Sequence, residues 1–371
     1  MSQALIPSDA QLATLGRWIE EKLPALGAIQ CFERLASPRR AERIAFVRVH
    51  GRNGQVDVAA KRPMRWSKID EGDVELAHLR RFRAAGMQAT PLPLGYDADG
   101  GLLWTVVMPG VPLQHWLFHH LYSPSRRLEH QAYAAVRLVG RWLASAQSLP
   151  YEGSLCKAHP FRSEPESDIA SSLDAGLLEE NEAAILRDAL AWASYWTRPA
   201  LPLVWLHGDF GPGNCLAYVS PAGVKVGILD FANAFVGRAA FDCATFSAGI
   251  AVGAALRYVS HHRIVLARSA FADGYFAGKR AQEGVFHSGP TDEERAEHAL
   301  QECAATLLSM RRYAERVQHA PMPLRVVLRQ HVRHAATHRL LALAREAMAR
   351  HEMLEGRRPV SLPADDQVAA G

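Results

Sequence analysis

Apolar positions along this chain follow two rhythms, one helical and one alternating. Leu12, Leu15, Trp18, Ile19 and Leu23 recur at helical spacing and predict a helix over 8–23, with Ser8 and Gln11 at capping-box positions ahead of it. Short strands follow at 31–36 and 43–50, joined by a turn at Ser37-Pro38-Arg39-Arg40. Gly51-Arg52-Asn53-Gly54 is a hairpin signal, and the strand resumes over 56–61. Leu76, Leu79 and Phe82 line one face of a helix over 75–85 that stops at Gly86. Pro91-Leu-Pro-Leu-Gly95 reads as a turn, and 102–108 as a strand broken at Pro109-Gly110. Beyond that break the texture changes. Helices are expected over 130–148 and 179–196, a short β-rich island between 201 and 246, nearly unbroken helix over 249–351, and a frayed tail over 358–371.

This order predicts an α+β fold with two lobes: a small antiparallel β-sheet lobe over 1–105, a connector over 106–110, and a larger, mostly helical lobe over 111–371. The chain has 371 residues, of which 49% are hydrophobic and 22% charged, enough apolar material for a sizeable core. Basic residues number 42 and acidic ones 38, too small an excess for a dedicated nucleic-acid binder. The five cysteines form no CxxC pair, which favours buried thiols in a reducing compartment over a disulfide framework or zinc site. No apolar stretch nears the roughly 18 residues of a membrane span, and no secretory signal opens the chain, so a cytoplasmic location is expected.

Candidate chemistry concentrates between 203 and 231. An apolar strand runs into His207-Gly208-Asp209-Phe-Gly-Pro-Gly-Asn214, a glycine-rich loop that gathers a carboxylate, an amide and an imidazole. A second strand, Val226-Gly-Ile-Leu, delivers Asp230, and a hairpin turn at 220–223 places Asp209, Asn214 and Asp230 at one mouth. One carboxylate and one amide oxygen suit Mg²⁺, which takes oxygen ligands and shares the rest with phosphates. A second carboxylate beside the metal can orient an attacking hydroxyl and accept its proton.

The pattern HGDxxxxN followed by an apolar-apolar-Asp strand resembles the aminoglycoside phosphotransferase and choline kinase group, relatives of the protein kinases. The resemblance implies a protein-kinase-like fold and catalytic roles for Asp209, as base, and His207, as a support for the loop. It makes Asn214 and Asp230 the magnesium ligands. Lys61 ends a strand in which Asp57, Ala59 and Lys61 share one face, so the lysine can reach nucleotide phosphates while small Ala59 leaves room for a flat base. Glu75, with Leu79, Phe82 and Gly86, fits the group's Glu-x3-apolar-x2-apolar-x3-Gly pattern and is the expected ion-pair partner of Lys61. The Val106 carbonyl and Met108 amide are the expected adenine contacts. ATP is the expected cosubstrate, with GTP open because backbone groups read the base.

Two features depart from the group. The turn expected to cover the phosphates, Ser37–Arg40, has no glycine, and Asp230 precedes Phe231-Ala232 rather than Phe-Gly. The expected reaction is phosphoryl transfer from ATP to a hydroxyl of a small molecule such as a sugar, amino alcohol, antibiotic or glycan. A protein kinase is the nearest alternative, yet only eleven residues separate Asp230 from Asp242, too few for a long peptide-presenting segment. A catalytically silent nucleotide-binding regulator is the other, although Lys61, Asp209, Asn214 and Asp230 are all present. Asp242 itself reads as structural, and His119-His120 and His261-His262 read as surface pairs. Finally, 311–358 holds eleven arginines against four glutamates, with Arg325, Arg329 and Arg333 on one helical face. That run is either a solvated face or a surface for an anionic acceptor or a membrane.

Overall fold

The computed structural model describes residues 5–35, 43–63, 71–150, 165–191, 203–255, 257, 259–283 and 292–356. The turn over 37–40, the end of the helix expected to reach 196, and the tail over 358–371 lie outside the described residues. The chain divides into two compact units: Met1–Pro160 with Val204–Gly237 and Ser269–Gln282, and Phe161–Leu203 with Arg238–Arg268 and Glu283–Gly371.

The first unit opens with α1 (Asp9–Lys22), whose capping box is formed: Ser8 Oγ accepts from the Gln11 amide and Gln11 Oε1 accepts from the Ser8 amide. Strands β1 (Ile29–Leu35), β2 (Ile44–Gly51), β3 (Gly54–Lys61), β4 (Pro93–Asp97) and β5 (Leu102–Val106) build an antiparallel sheet in the order β1-β2-β3-β5-β4. One face is core: Val47, Val49, Val58, Ala60 and Trp104 are fully buried, together with Leu15 and Ile19 of α1. β4 replaces the expected turn at Pro91–Gly95. Its proline begins an edge strand, where a missing amide costs no ladder bond.

Helix α2 (Glu71–Ala84) starts four residues before the expected helix, and α3 (Leu113–Tyr122), after the two-residue strand β6 (Val111–Pro112), was not signalled by the apolar pattern. In α3, His120 is buried and stacks on Trp116 with ring centroids 3.8 Å apart, so the expected surface pair has one inward member. Helix α4 (Arg126–Ser148) packs tightly on the later part of α8 (His261–Glu283). A Cβ on Gly274 would lie 2.1 Å from the Arg137 carbonyl oxygen, and one on Gly140 would lie 2.4 Å from that of Phe271. The β-rich island becomes β7 (Leu203–Leu206), β8 (Cys215–Ser220), β9 (Gly223–Ile228) and β10 (Phe235–Arg238), with β6-β8-β9 forming one small sheet and β10-β7 another.

The second unit is helical. It contains α5 (Pro165–Asp174), α6 (Glu180–Ala191), α7 (Ala240–Ala255), α9 (Asp292–His319), α10 (Met322–Val332) and α11 (His338–Gly356), with a π-turn over Arg333–Thr337 before α11. Its core joins Leu177, Leu186, Cys303, Met310, Leu340 and Ala344. Several arginines of the run are engaged within the unit. Arg333 pairs with Glu179 and Glu182, Arg311 with buried Asp168, and Arg325 donates to the carbonyls of Gln318 and Ala320. Among the described residues no helix is long and apolar enough to cross a membrane.

Candidate active site

All the candidate site residues fall in the first unit. Lys61 is the last residue of β3, and the strand alternation turns its side chain to the face shared with Ala59, opposite the core face of Val58 and Ala60. Ala59 is cross-strand to Phe46 and Thr105, so that face carries a small residue between larger ones. Glu75 lies one turn into α2, and Leu79 and Phe82, one and two turns on, bury the same side of the helix. Its carboxylate is only 4% exposed. Lys61 Nζ donates to Glu75 Oε2 at 2.7 Å and to Asp230 Oδ1 at 2.5 Å, while Glu75 Oε1 accepts the Phe231 amide at 3.3 Å.

Asp230 follows β9 and is the one described non-glycine residue with positive φ, at 66°. Such a left-handed residue costs roughly 1–2 kcal/mol and needs surrounding support. The support is visible: the amide of Ile228 donates to the Ala89 carbonyl (2.7 Å), that of Leu229 to the Asn214 carbonyl (2.9 Å), and Phe231 is fully buried. The bond from Leu229 to Asn214 also sets the two expected metal ligands on adjoining backbone.

The loop from His207 to Asn214 is locked from within. His207 Nε2 lies 2.8 Å from the Leu229 carbonyl oxygen, so this nitrogen carries the proton, and Nδ1 accepts the Asp209 amide at 3.4 Å. Both nitrogens of the neutral ring thus bond to backbone groups of the two site loops. Gly208 has φ of 81°, and a Cβ there would sit 2.0 Å from the Asn233 carbonyl oxygen, so glycine is required. Asn214 Nδ2 donates to the Asp209 carbonyl at 2.8 Å and to Asp209 Oδ2 at 3.0 Å, which orients both side chains.

Beneath the loop lies an aromatic cluster that the motif reading did not anticipate. Phe82 meets the Trp205 ring edge-on at 4.9 Å and Phe231 at 5.2 Å, His207 lies 5.1 Å from Phe231, and Trp142 stacks on Phe210 at 6.0 Å. These rings join α2, α4, β7 and both site loops. Phe210 and Phe231 directly follow Asp209 and Asp230 in the sequence, whereas Trp142 of α4 carried no such signal.

Charge follows from this packing. Burial alone would lower the Lys61 pKa, but the charges of Glu75 and Asp230 more than reverse that and hold the ammonium protonated. Burial pushes the Glu75 carboxyl up, against the pull of Lys61, because one ammonium serves two carboxylates. For Asp230 burial acts upward, yet the Lys61 charge and hydrogen bond, then His207 and Arg43, hold it below the usual range. Burial keeps His207 below its ordinary value. Burial also pushes the Cys215 thiol up, so this residue beside Asn214 is an inert hydrophobe.

Val106 ends β5, and its amide donates to the Leu92 carbonyl while that of Val107 donates to the Asp57 carbonyl. The Met108 thioether packs over Gly227 of β9, where a Cβ would come within 2.9 Å of it. The Met108 amide makes no backbone hydrogen bond among the described residues, leaving a donor at the connector.

The donor set fits Mg²⁺. The Asn214 amide spends its hydrogens on Asp209 and keeps its oxygen as an acceptor, and Asp230 spends Oδ1 on Lys61 and keeps Oδ2. Among the described residues no cluster of three His, Cys, Asp or Glu side chains could hold a metal unaided.

No curated protein matches the sequence. Among solved structures, the chain is similar to an ethanolamine kinase of Plasmodium vivax, with a TM-score of 0.52 at 11% identity over 94% of this chain and 93% of that one. It is likewise similar to a candidate aminoglycoside phosphotransferase of Ralstonia eutropha, with a TM-score of 0.51 at 14% identity over 90% of this chain and 98% of that one. At these identities the likeness is one of fold, the kinase-like α+β arrangement of an antiparallel sheet followed by a mostly helical part. The sequence profile of the phosphotransferase enzyme family matches residues 70–283, more than half of the chain, and the protein belongs to that family.

Proposed function

We propose that this phosphotransferase moves the γ-phosphoryl group of ATP to a hydroxyl of a small molecule. The observation that carries the reading is the Lys61 ammonium, held by Glu75 and Asp230 in the same unit in which Asn214 orients Asp209. Phosphoryl transfer is mostly positioning and charge stabilisation, and these groups supply both.

In this reading Lys61, steadied by Glu75, grips the non-transferred phosphates. The Val106 carbonyl and Met108 amide meet the base edge-on, and Ala59 leaves room above its plane. Asn214 and Asp230 hold Mg²⁺, which supplies neutralisation of phosphate charge. Asp209 aligns the acceptor hydroxyl and takes its proton. The acceptor oxygen bonds to the γ-phosphorus as the bond to the ADP oxygen breaks, giving ADP and a phosphate ester.

A protein substrate is disfavoured by the chain between Asp230 and Asp242. It forms a 3₁₀ turn over Phe231–Asn233 and β10, and α7 begins at Ala240, leaving no extended segment to present a peptide. The pairing of Arg311 and Arg333 with acidic residues of the same unit gives no support to an anionic acceptor or a membrane surface.

The test is ATP consumption with Mg²⁺ across sugars, amino alcohols, antibiotics and glycans, with Asp209→Ala as the blank. Turnover with one class, lost in Asp209→Ala, is expected and names the acceptor. Undiminished turnover in that variant would remove Asp209 from the mechanism.

A further inference from the structure

We infer that Arg43 is a phosphate-binding residue of this nucleotide site, a second cation beside Lys61 for the polyphosphate of the bound nucleotide. The inference rests on the nucleotide reading above and adds a residue that none of the motifs contains.

Position comes first. Ile44, the first residue of β2, is cross-strand to Lys61 in the antiparallel ladder. The Arg62 amide donates to the Arg43 carbonyl at 2.8 Å, so the pairing continues one residue beyond the strand. Arg43 therefore stands at the strand end that presents Lys61, immediately after the turn expected to cover the phosphates.

Among the described residues the guanidinium makes one hydrogen bond, from Nη2 to the Arg62 carbonyl at 3.1 Å, and no carboxylate lies within ion-pair distance of it. An arginine offers five N–H donors in a planar fork, so most remain for a ligand. Other half-buried arginines of the chain behave differently: Arg48 is bidentate to Asp57 at 2.7 and 3.0 Å, and Arg333 and Arg268 are engaged by glutamates.

Charge balance gives the reason for such a residue. Lys61 is already shared by two carboxylates, and Asp209 adds a third carboxylate in the same unit. A nucleoside di- or triphosphate entering there needs positive charge that is not already neutralised. The chain over 36–42 also contains no glycine, so the usual cradle of exposed backbone amides is not written there. A side-chain cation supplies what those amides otherwise would.

The experiment is calorimetric titration of the wild-type protein, Arg43→Gln and Arg43→Met with ADP, ATP and adenosine in the presence of Mg²⁺. Arg43→Gln keeps an amide able to reach the Arg62 carbonyl while deleting the charge, and Arg43→Met keeps most of the length. Loss of one charge-assisted contact predicts about tenfold weaker ADP and ATP binding with adenosine unchanged. The loss should shrink as salt is raised. ADP affinity within about twofold of wild type in either folded variant would overturn the assignment, as would equal weakening of ADP and adenosine. Failure of both variants to fold would make Arg43 a structural residue and overturn it too. Wild-type protein that binds neither ADP nor adenosine would instead overturn the nucleotide reading itself.

Discussion

Lys61 Nζ lies 2.5 Å from Asp230 Oδ1, joining residues 169 positions apart, and the same ammonium is 2.7 Å from Glu75 Oε2. One cation thus satisfies two carboxylates, one of them almost wholly buried. Removing it leaves Glu75 charged in a low-dielectric setting. Lys61→Met should lose about 3 kcal/mol in urea unfolding, the lower end for breaking a buried pair because Lys61 keeps some exposure. Adding Glu75→Gln should restore much of that loss while nucleotide binding stays absent. Equal instability of the single and double variants would contradict this electrostatic account.

Asp209 should matter for rate and little for nucleotide affinity. Asp209→Asn keeps the shape but removes the proton acceptor, so kcat should fall by about 10²–10⁴. The ADP dissociation constant should stay within about twofold. A parallel loss of ADP affinity would assign Asp209 to nucleotide binding instead.

The loop glycines separate into two kinds. Gly208 has φ of 81° with the Asn233 carbonyl oxygen 2.0 Å from a built Cβ, whereas Gly211 has φ of −119° and nothing within 4 Å. Gly208→Ala should cost at least about 1–2 kcal/mol from backbone strain alone. Gly211→Ala should be neutral or stabilise by up to about 1 kcal/mol through the unfolded chain. Thermal melts of the two proteins distinguish them directly.

His207 makes stability depend on pH. Its folded pKa is depressed by burial, so it contributes stability that is present above the unfolded value of about 6.5 and is lost as pH falls toward the folded value. The neutral ring donates to Leu229 and accepts from Asp209, and a second proton would face the Asp209 amide. Denaturation midpoints should therefore fall as pH drops below about 6.5. His207→Gln, though less stable at neutral pH, should show a flatter profile over that window. An identical slope in both proteins would place the dependence elsewhere.

In the helical unit, Glu302 is 1% exposed and receives Arg268 Nη2 at 2.5 Å together with Arg339 Nη2. Glu302→Gln leaves two buried guanidinium groups without an anion and should cost about 3–5 kcal/mol. Glu346→Gln, by contrast, breaks an exposed helical pair with Arg350 at 2.8 Å and should cost less than about 0.5 kcal/mol.

Local rules carried the reading wherever the deciding partners were close in sequence. Ser8 with Gln11 and the hairpin at 51–54 appear as expected because a cap or a turn depends on near neighbours. The misses were set at longer range. Pro93 looked like a turn residue, yet β4 is held in the sheet by its partner β5. Likewise α3, with no side-chain cap, is held by burial of Leu113, Leu117 and Leu121. The arginine run had the period of a shared face, but only the glutamates of α6 and the preceding loop reveal that Arg333 turns inward.

By itself the sequence determined which chemical groups this protein owns and roughly which element carries each: a strand-end lysine, a helix glutamate, and an His-Gly-Asp-x4-Asn loop followed by a strand-end aspartate. Those assignments depend on residue type and on periods of two or 3.6, which act over a few residues. Tertiary structure alone decided that Lys61, Glu75 and Asp230 converge, that Asp230 takes a left-handed backbone, and that Arg43 stands at the strand end that presents Lys61. Bringing positions 61, 75 and 230 within hydrogen-bond distance requires the end of β3, α2 and the loop after β9 to meet, and that meeting depends on the packing of the whole unit.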